Sequence, residues 1–386
     1  MQLLAGPSGT AAPAADAIAA AEAWPAVVDH CRQWNVLPAL AARIRAASLL
    51  LPQAQATTVA REAAVEILRT KFCLRAGADA LRLLADAGIA AVAFKGFAVI
   101  AAMHRGDSER MVRDVDILIG PDTVPAALAV LESHGYRQAV GTGDLAEYIA
   151  FVQNSPGSAG NEAVSLTLRP GADLDLHWKL GRIDAAELLA TARQVNVLGR
   201  DVQIARPAFG LLLSVHHAVR NDFVPDHIAR DVLDCAGWFA LLAEDPVEFA
   251  CARKHAECWG LTDSVAAMSL IVQTFGHEDR WGGTGSAPPA AADLTALYVH
   301  QLESGPINTD LAYLGSSRAV RQVLAGAWSG WRRYTDMMRA FEKRNGEESL
   351  TLWQRIRRLA DSARGLSPHE WRQIRALARA KDRLSG

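Results

Sequence analysis

Residues 110–119 read Arg110-Met-Val-Arg-Asp114-Val-Asp116-Ile-Leu-Ile119, two acids one residue apart running into an apolar tract. Val and Ile dominate the tract, which predicts a strand. Alternate side chains of a strand share a face, so Asp114 and Asp116 project together while Val115 and Ile117 point into a core. Two carboxylates held this way can bridge divalent cations, and a cation pair about 3.5–4 Å apart stabilises both the attacking and the leaving oxygen of a displacement at phosphorus.

Outward from this stretch, other short apolar runs appear. Ala91–Phe94 precedes Lys95-Gly96; Ala163–Leu168 and Ala172–Trp178 follow. Between them, residues 124–134 have a helical pattern that stops at Gly135, and residues 153–162 are a loop or hairpin connection. Residues 89–184 are thus expected to form a small α/β core around a mixed sheet. A third carboxylate is expected from the neighbouring strand Leu174-Asp175-Leu176-His177-Trp178, with Asp173 and His177 on the same face. Asp175 is the first choice and Asp173 the alternative. His177 either orients a carboxylate or donates to phosphate.

The flanks are helical. Residues 1–22 are rich in Ala, Gly and Pro and read as a tail; residues 23–88 read as helices in which Val27, Cys31 and Trp34 recur at helical spacing. A longer helix carries Ile67, Leu74, Ala78 and Leu81 on one face and ends at Gly88. Helix is expected again over residues 185–275, then a Gly/Pro-rich linker at 276–292, then C-terminal helices over 293–386. The last of these has a capping box, Ser367-Pro-His-Glu370. The fold class expected is α+β, a small mixed sheet between helical regions.

The chain has 386 residues, half of them apolar, so it can bury a sizeable core. Its net charge of −2 gives the whole molecule no nucleic-acid footprint. Five scattered cysteines read as reduced thiols. Neither a basic n-region with an apolar h-region nor a membrane-length apolar run is seen, so a cytoplasmic protein without a membrane partner is expected.

The Lys95-Gly96 pair, the Arg110–Asp116 run and the downstream Asp175-Leu-His177-Trp178 together resemble a bacterial family of nucleotidyltransferases within the polymerase-β superfamily. The resemblance covers residues 89–180 well; the helices before it, and Leu211 to Leu242 with His216, His217, Asp231 and Asp234, fit more loosely. It implies transfer of a nucleoside monophosphate from an NTP to an acceptor hydroxyl, with Mg²⁺ (or Mn²⁺) as cofactor. Asp114 and Asp116 would bind both metals and Asp175 the one that activates the acceptor. Gly96 would let the backbone approach the triphosphate. Lys95, Arg110, Arg113 and His177 are the candidates for countering its charge. The acceptor would be a small molecule, a peptide or RNA, in settings such as peptide natural-product or exopolysaccharide biosynthesis. One departure stands out: the superfamily usually places Ser or Gly after the strand-end Gly, and here Phe97 follows Gly96.

Glycosyltransferases also use Asp-x-Asp, but there the apolar strand precedes the acids, whereas Ile117-Leu118-Ile119 follows them. A sheet that keeps the fold but only binds nucleotide or peptide, and a toxin-like enzyme that nucleotidylates tRNA or protein, are the alternatives. Cys251, His255 and Cys258 share a helical face without an evident fourth metal ligand, so packing is expected. His216 and His217 lie in an apolar helix and are expected to pack or to support the sheet. Lys and Arg far outnumber Asp and Glu over residues 351–386, with Trp353 and Trp371 interleaved. An acidic partner is one reading of that stretch; solvated faces of amphipathic helices explain it equally well.

Overall fold

A computed structural model describes residues 22–46, 51–104, 109–138, 161–168, 172–220 and 225–274, together with Asp16, Ile18 and Trp281. The expected linker at 276–292 and the C-terminal helices of 293–386 lie outside the described residues, apart from Trp281.

The strands are β1 (Ala91–Phe94), β2 (Asp114–Ile119), β3 (Arg137–Gln138), β4 (Asn161–Leu168), β5 (Ala172–Leu180), β6 (Arg193–Val197) and β7 (Arg200–Ile204). They form one mixed sheet in the order β3-β4-β5-β2-β1-β7-β6. β2 lies parallel to β5 and antiparallel to β1, which puts the two acid-bearing strands side by side at the centre. The α+β class and the strands β1, β2, β4 and β5 agree with the expectation from the sequence.

The sheet nevertheless continues past residue 184. Residues 193–204, expected to be helical, are the hairpin β6–β7, and β7 joins the far side of β1 in parallel. Its turn is Leu198-Gly199, both at positive φ (51° and 79°), the conformation that two-residue hairpin loops require. Asn196 supports it by accepting from the Gly199 N–H at 3.1 Å and donating to Asp201 at 2.8 Å. Val195, Val197, Val202 and Ile204 alternate around the turn, which is the strand signal; Leu198, where Asn or Asp is usual, hid it.

Helices α1 (Trp24–Gln33), α2 (Leu37–Ala46) and α3 (Gln53–Asp86) precede the sheet. The second half of α3 covers the apolar face, burying Leu74, Ala78, Leu81 and Leu84. Two hydrogen bonds fix it there: the Thr70 hydroxyl accepts from the Val112 N–H at 3.1 Å, and the Tyr136 hydroxyl donates to the Ala76 carbonyl at 2.9 Å. α3 ends where Gly88 takes positive φ and the Ile89 N–H returns to the Leu84 carbonyl. The first half of α3 packs with α1 and α2 around a second core of Trp24, Val28, Cys31, Leu37 and Leu40. Val27 and Trp34, read from the sequence as part of this face, only flank it.

A short helix α4 (Lys95–Val99) follows β1 and runs into a π-turn at Ile100–His104; α5 (Val124–Ser133) follows β2 and α6 (Ala185–Ala190) follows β5. After the hairpin come α7 (Pro207–Arg220), α8 (Pro225–Glu244), α9 (Pro246–Cys258) and α10 (Thr262–Gln273), which pack on one another and, through α7, on α4. No described helix is long and apolar enough to cross a membrane.

Candidate metal centre

The register of β2 on β5 decides the site. Asp114 stands opposite Asp173, and Asp116 opposite Asp175. All four acids therefore share the face turned away from α3, because in-register parallel neighbours point the same way. β1 adds Phe94 opposite Asp116, and β4 adds Ser165 opposite Asp175 and Thr167 opposite Asp173.

Asp116 is the most buried of the acids, 3% exposed. One of its oxygens, Oδ1, receives the Lys95 ammonium at 2.5 Å and His177 Nε2 at 3.0 Å. Burial pushes this carboxyl up, but the Lys95 charge and the His177 hydrogen bond outweigh burial and hold it well below the usual range. His177 Nδ1 is buried without a partner, which fits an imidazole that keeps its proton on Nε2 and donates it to Asp116. The ring stands edge-on to Phe94, 5.1 Å between centroids, so its orientation is fixed by packing as well.

Asp175 is a half-buried counterpart. The Ser165 hydroxyl donates to its Oδ1 at 2.5 Å. Its carboxyl is pushed up, first by burial and then by the charges of Asp116 and Asp114, against the pull of Ser165 and His177. The side chains of Asp116, Asp175 and His177 offer ligand atoms that all lie within 4.8 Å of one another. Two carboxylates and an imidazole, buried and short of positive charge, suit a divalent cation of the Mg²⁺/Mn²⁺ kind. With His177 donating to Asp116, oxygen ligation from the acids is favoured and the imidazole orients them.

Asp114 sits at the exposed start of β2, outside this trio, and makes no side-chain hydrogen bond among the described residues. Asp173, the alternative third acid, accepts from the Thr167 hydroxyl at 3.0 Å and is likewise outside the trio. Of the two, Asp175 is the one beside Asp116.

The arginines and Gly96 fall differently from the sequence reading. Arg110 is buried and grips Asp234 of α8 with both edges of the ion pair, Nε to Oδ1 at 3.0 Å and Nη2 to Oδ2 at 2.8 Å. Its Nη1 donates to the Met111 carbonyl at 2.7 Å. Rather than standing open to a triphosphate, this guanidinium ties the helical bundle to the segment that enters β2. Gly96 is explained by the same residue: a Cβ there would collide with Arg110 Nη1. The space above Gly96 is filled by a side chain. Arg113 turns away toward Asn35 beyond α1, donating to its side-chain oxygen at 2.9 Å. Phe97 is fully buried, so the position after Gly96 serves the core.

Sequence reasoning missed Ser165, Thr167 and the Arg110–Asp234 clamp. The hydroxyls alternate as Ser165-Leu-Thr167 on an expected strand, but only strand pairing shows which acids they meet. Arg230 was also missed. It lies among Arg110, Asp231, Asp234 and Asp114, and burial and the Arg110 charge weaken its hold on its proton. His217 lies 3.4 Å from Asp231, in keeping with a supporting role for that helix pair. His255 has both nitrogens engaged, by the Cys251 carbonyl at 2.8 Å and Glu187 at 2.7 Å, and packs on Phe209 and Trp259. Cys251 and His255 therefore belong to the packing.

A central parallel pair of strands presenting a buried acid–acid–imidazole group, with helices on the opposite face, defines an α+β protein with a candidate divalent-cation centre. The chain belongs to the family described as "Uncharacterised nucleotidyltransferase", which matches residues 20–276 and so takes in every helix and strand given above. No curated protein matches it.

Proposed function

We propose that the protein is a metal-dependent nucleotidyltransferase of the polymerase-β type, moving a nucleoside monophosphate from an NTP to an acceptor hydroxyl. The observation that carries this is the in-register pairing of Asp116 with Asp175, which brings two acids from separate stretches together with His177. Asp116 and Asp175 would hold the cation, with Asp114 joining at the exposed edge when nucleotide is present. The cation, Mg²⁺ or Mn²⁺, supplies charge neutralisation at the phosphates when bound. His177 fixes one carboxylate lone pair and Ser165 another, so the acids need little reorganisation. Lys95 is the cation nearest the acids and is the candidate for the triphosphate. Arg110 contributes by holding α8 against the segment before β2. A cytoplasmic setting is part of this reading, in keeping with cysteines that stand as free thiols.

The test is a screen with labelled NTPs against total RNA, peptides, small hydroxylated acceptors and the protein itself, run beside Asp114→Ala/Asp116→Ala. Label transfer by the wild type alone is expected. Equal transfer by both proteins would remove these acids from the mechanism. The choice among a natural-product peptide, a polysaccharide precursor, tRNA or a protein hydroxyl rests on which acceptor takes the label.

A second reading, a silent nucleotide- or peptide-binding module, is favoured by two observations. Phe97 replaces a phosphate-binding hydroxyl with a core side chain, and Lys95 already neutralises Asp116. Calorimetry separates the two: a silent module binds NTP with little dependence on Mg²⁺.

A further inference from the structure

Asp116 belongs to the candidate cation-binding group and already carries the Lys95 ammonium on Oδ1, 2.5 Å away. A divalent cation held by this carboxylate and an ammonium on its Oδ1 repel strongly at such separations, so the two compete for Asp116. Lys95 is also placed so that it can leave. Its side chain is 24% exposed against 4% for Asp116, and a four-carbon stem lets the head swing while the backbone stays put. The backbone is held in an unusual conformation: Lys95 has φ +49°, left-handed for a residue with a Cβ, at the junction of β1 and α4. That conformation persists only where surrounding structure enforces it, and here it directs the side chain back across Phe94, 5.4 Å from the ring centroid, to the acids.

We infer that Lys95 is the resident counter-ion of the metal seat: an incoming divalent cation displaces its ammonium, which then pairs with the phosphates of the nucleotide. Metal and triphosphate binding are thereby coupled through one side chain. Without nucleotide, the cation must evict Lys95 from a buried ion pair into water. With nucleotide, the ammonium gains an anionic partner at the moment it loses Asp116. The cleft thus resists a bare cation and accepts a cation with its polyphosphate. This rests on the reading of Asp116, Asp175 and His177 as the metal seat.

The experiment measures Mn²⁺ binding by electron paramagnetic resonance for wild type, Lys95→Met and Asp116→Asn, each with and without inorganic tripolyphosphate below its Mn²⁺-sequestering range. Lys95→Met is expected to bind Mn²⁺ at least tenfold more tightly than wild type without polyphosphate, and to lose the strengthening that polyphosphate gives the wild type. A second measurement needs no variant. Acylation of Lys95 in the wild type, followed by peptide mass spectrometry, should rise on adding Mn²⁺ and fall again when tripolyphosphate follows. Equal or weaker Mn²⁺ binding by folded Lys95→Met, or Lys95 acylation indifferent to Mn²⁺, overturns the exchange. The metal seat itself would survive that result if Asp116→Asn still abolished binding. Absence of Mn²⁺ binding by wild type and Lys95→Met alike overturns both.

Discussion

The acid face of the sheet and the seam between helices and sheet use the same side chains to opposite ends. At the seam three acids meet their bases: Arg110 grips Asp234 through two edges, Arg206 donates to Glu248 at 2.9 Å while that acid also caps the Ala208 N–H, and His255 meets Glu187. On the sheet face, Asp114, Asp116, Asp173 and Asp175 stand together, and the nitrogen donors of Lys95 and His177 fall on a single oxygen of Asp116. Hydroxyls serve Asp175 and Asp173, and a hydroxyl brings no charge. Balanced pairs close a structure; an excess of carboxylate leaves room for a cation. The difference lies in stoichiometry, not in residue type.

The largest effect expected is at Asp116. Asp116→Asn should weaken Mn²⁺ binding by more than the ~100-fold that changes in supporting hydrogen bonds reach at metal sites. In thermal unfolding, wild type at a Mn²⁺ concentration a hundredfold above its dissociation constant gains about 2.7 kcal/mol, and the variant gains less than about 0.4 kcal/mol. If the two respond alike, the contrast between the regions is false.

Next comes the seam. Asp234→Ala leaves the Arg110 guanidinium buried without its partner and should cost about 3–5 kcal/mol in urea unfolding. The double change Arg110→Met/Asp234→Leu removes both charges and should recover most of that loss. Failure of the double variant to recover would mean that the pair does more than balance charge.

Ser165→Ala sharpens the comparison within the acid face. It should lower Mn²⁺ affinity by about 10–100-fold through the loss of a hydrogen bond that orients Asp175, with the fold intact by circular dichroism. The smallest effect is expected one step along the same strands. Thr167→Ala, beside Asp173, should alter stability by no more than about 0.5 kcal/mol and leave Mn²⁺ affinity as it was. Equal losses at the two hydroxyls would enlarge the centre to include Asp173.

Much of this was legible beforehand because it depends on local pattern. Alternation around Val115 and Ile117 marks β2 and puts Asp114 and Asp116 on one face; Gly88 and Gly135 end their helices where the apolar periodicity stops. The hairpin at 193–204 was not legible, since its Leu198-Gly199 turn lacks the usual residue at the first position. Arg110 misled for a different reason. A charge beside two acids looks the same in sequence whether it faces a ligand or a carboxylate more than a hundred residues away.

By itself, then, the sequence determined β1, β2, β4 and β5, their polar and apolar faces, and the acids that could act together. The tertiary structure decided which of them meet. The parallel register of β2 on β5 placed Asp175 rather than Asp173 beside Asp116, and helix α8 took Arg110 for Asp234. Strand pairing and helix docking are long-range events: they fix distances between residues that local periodicity leaves independent.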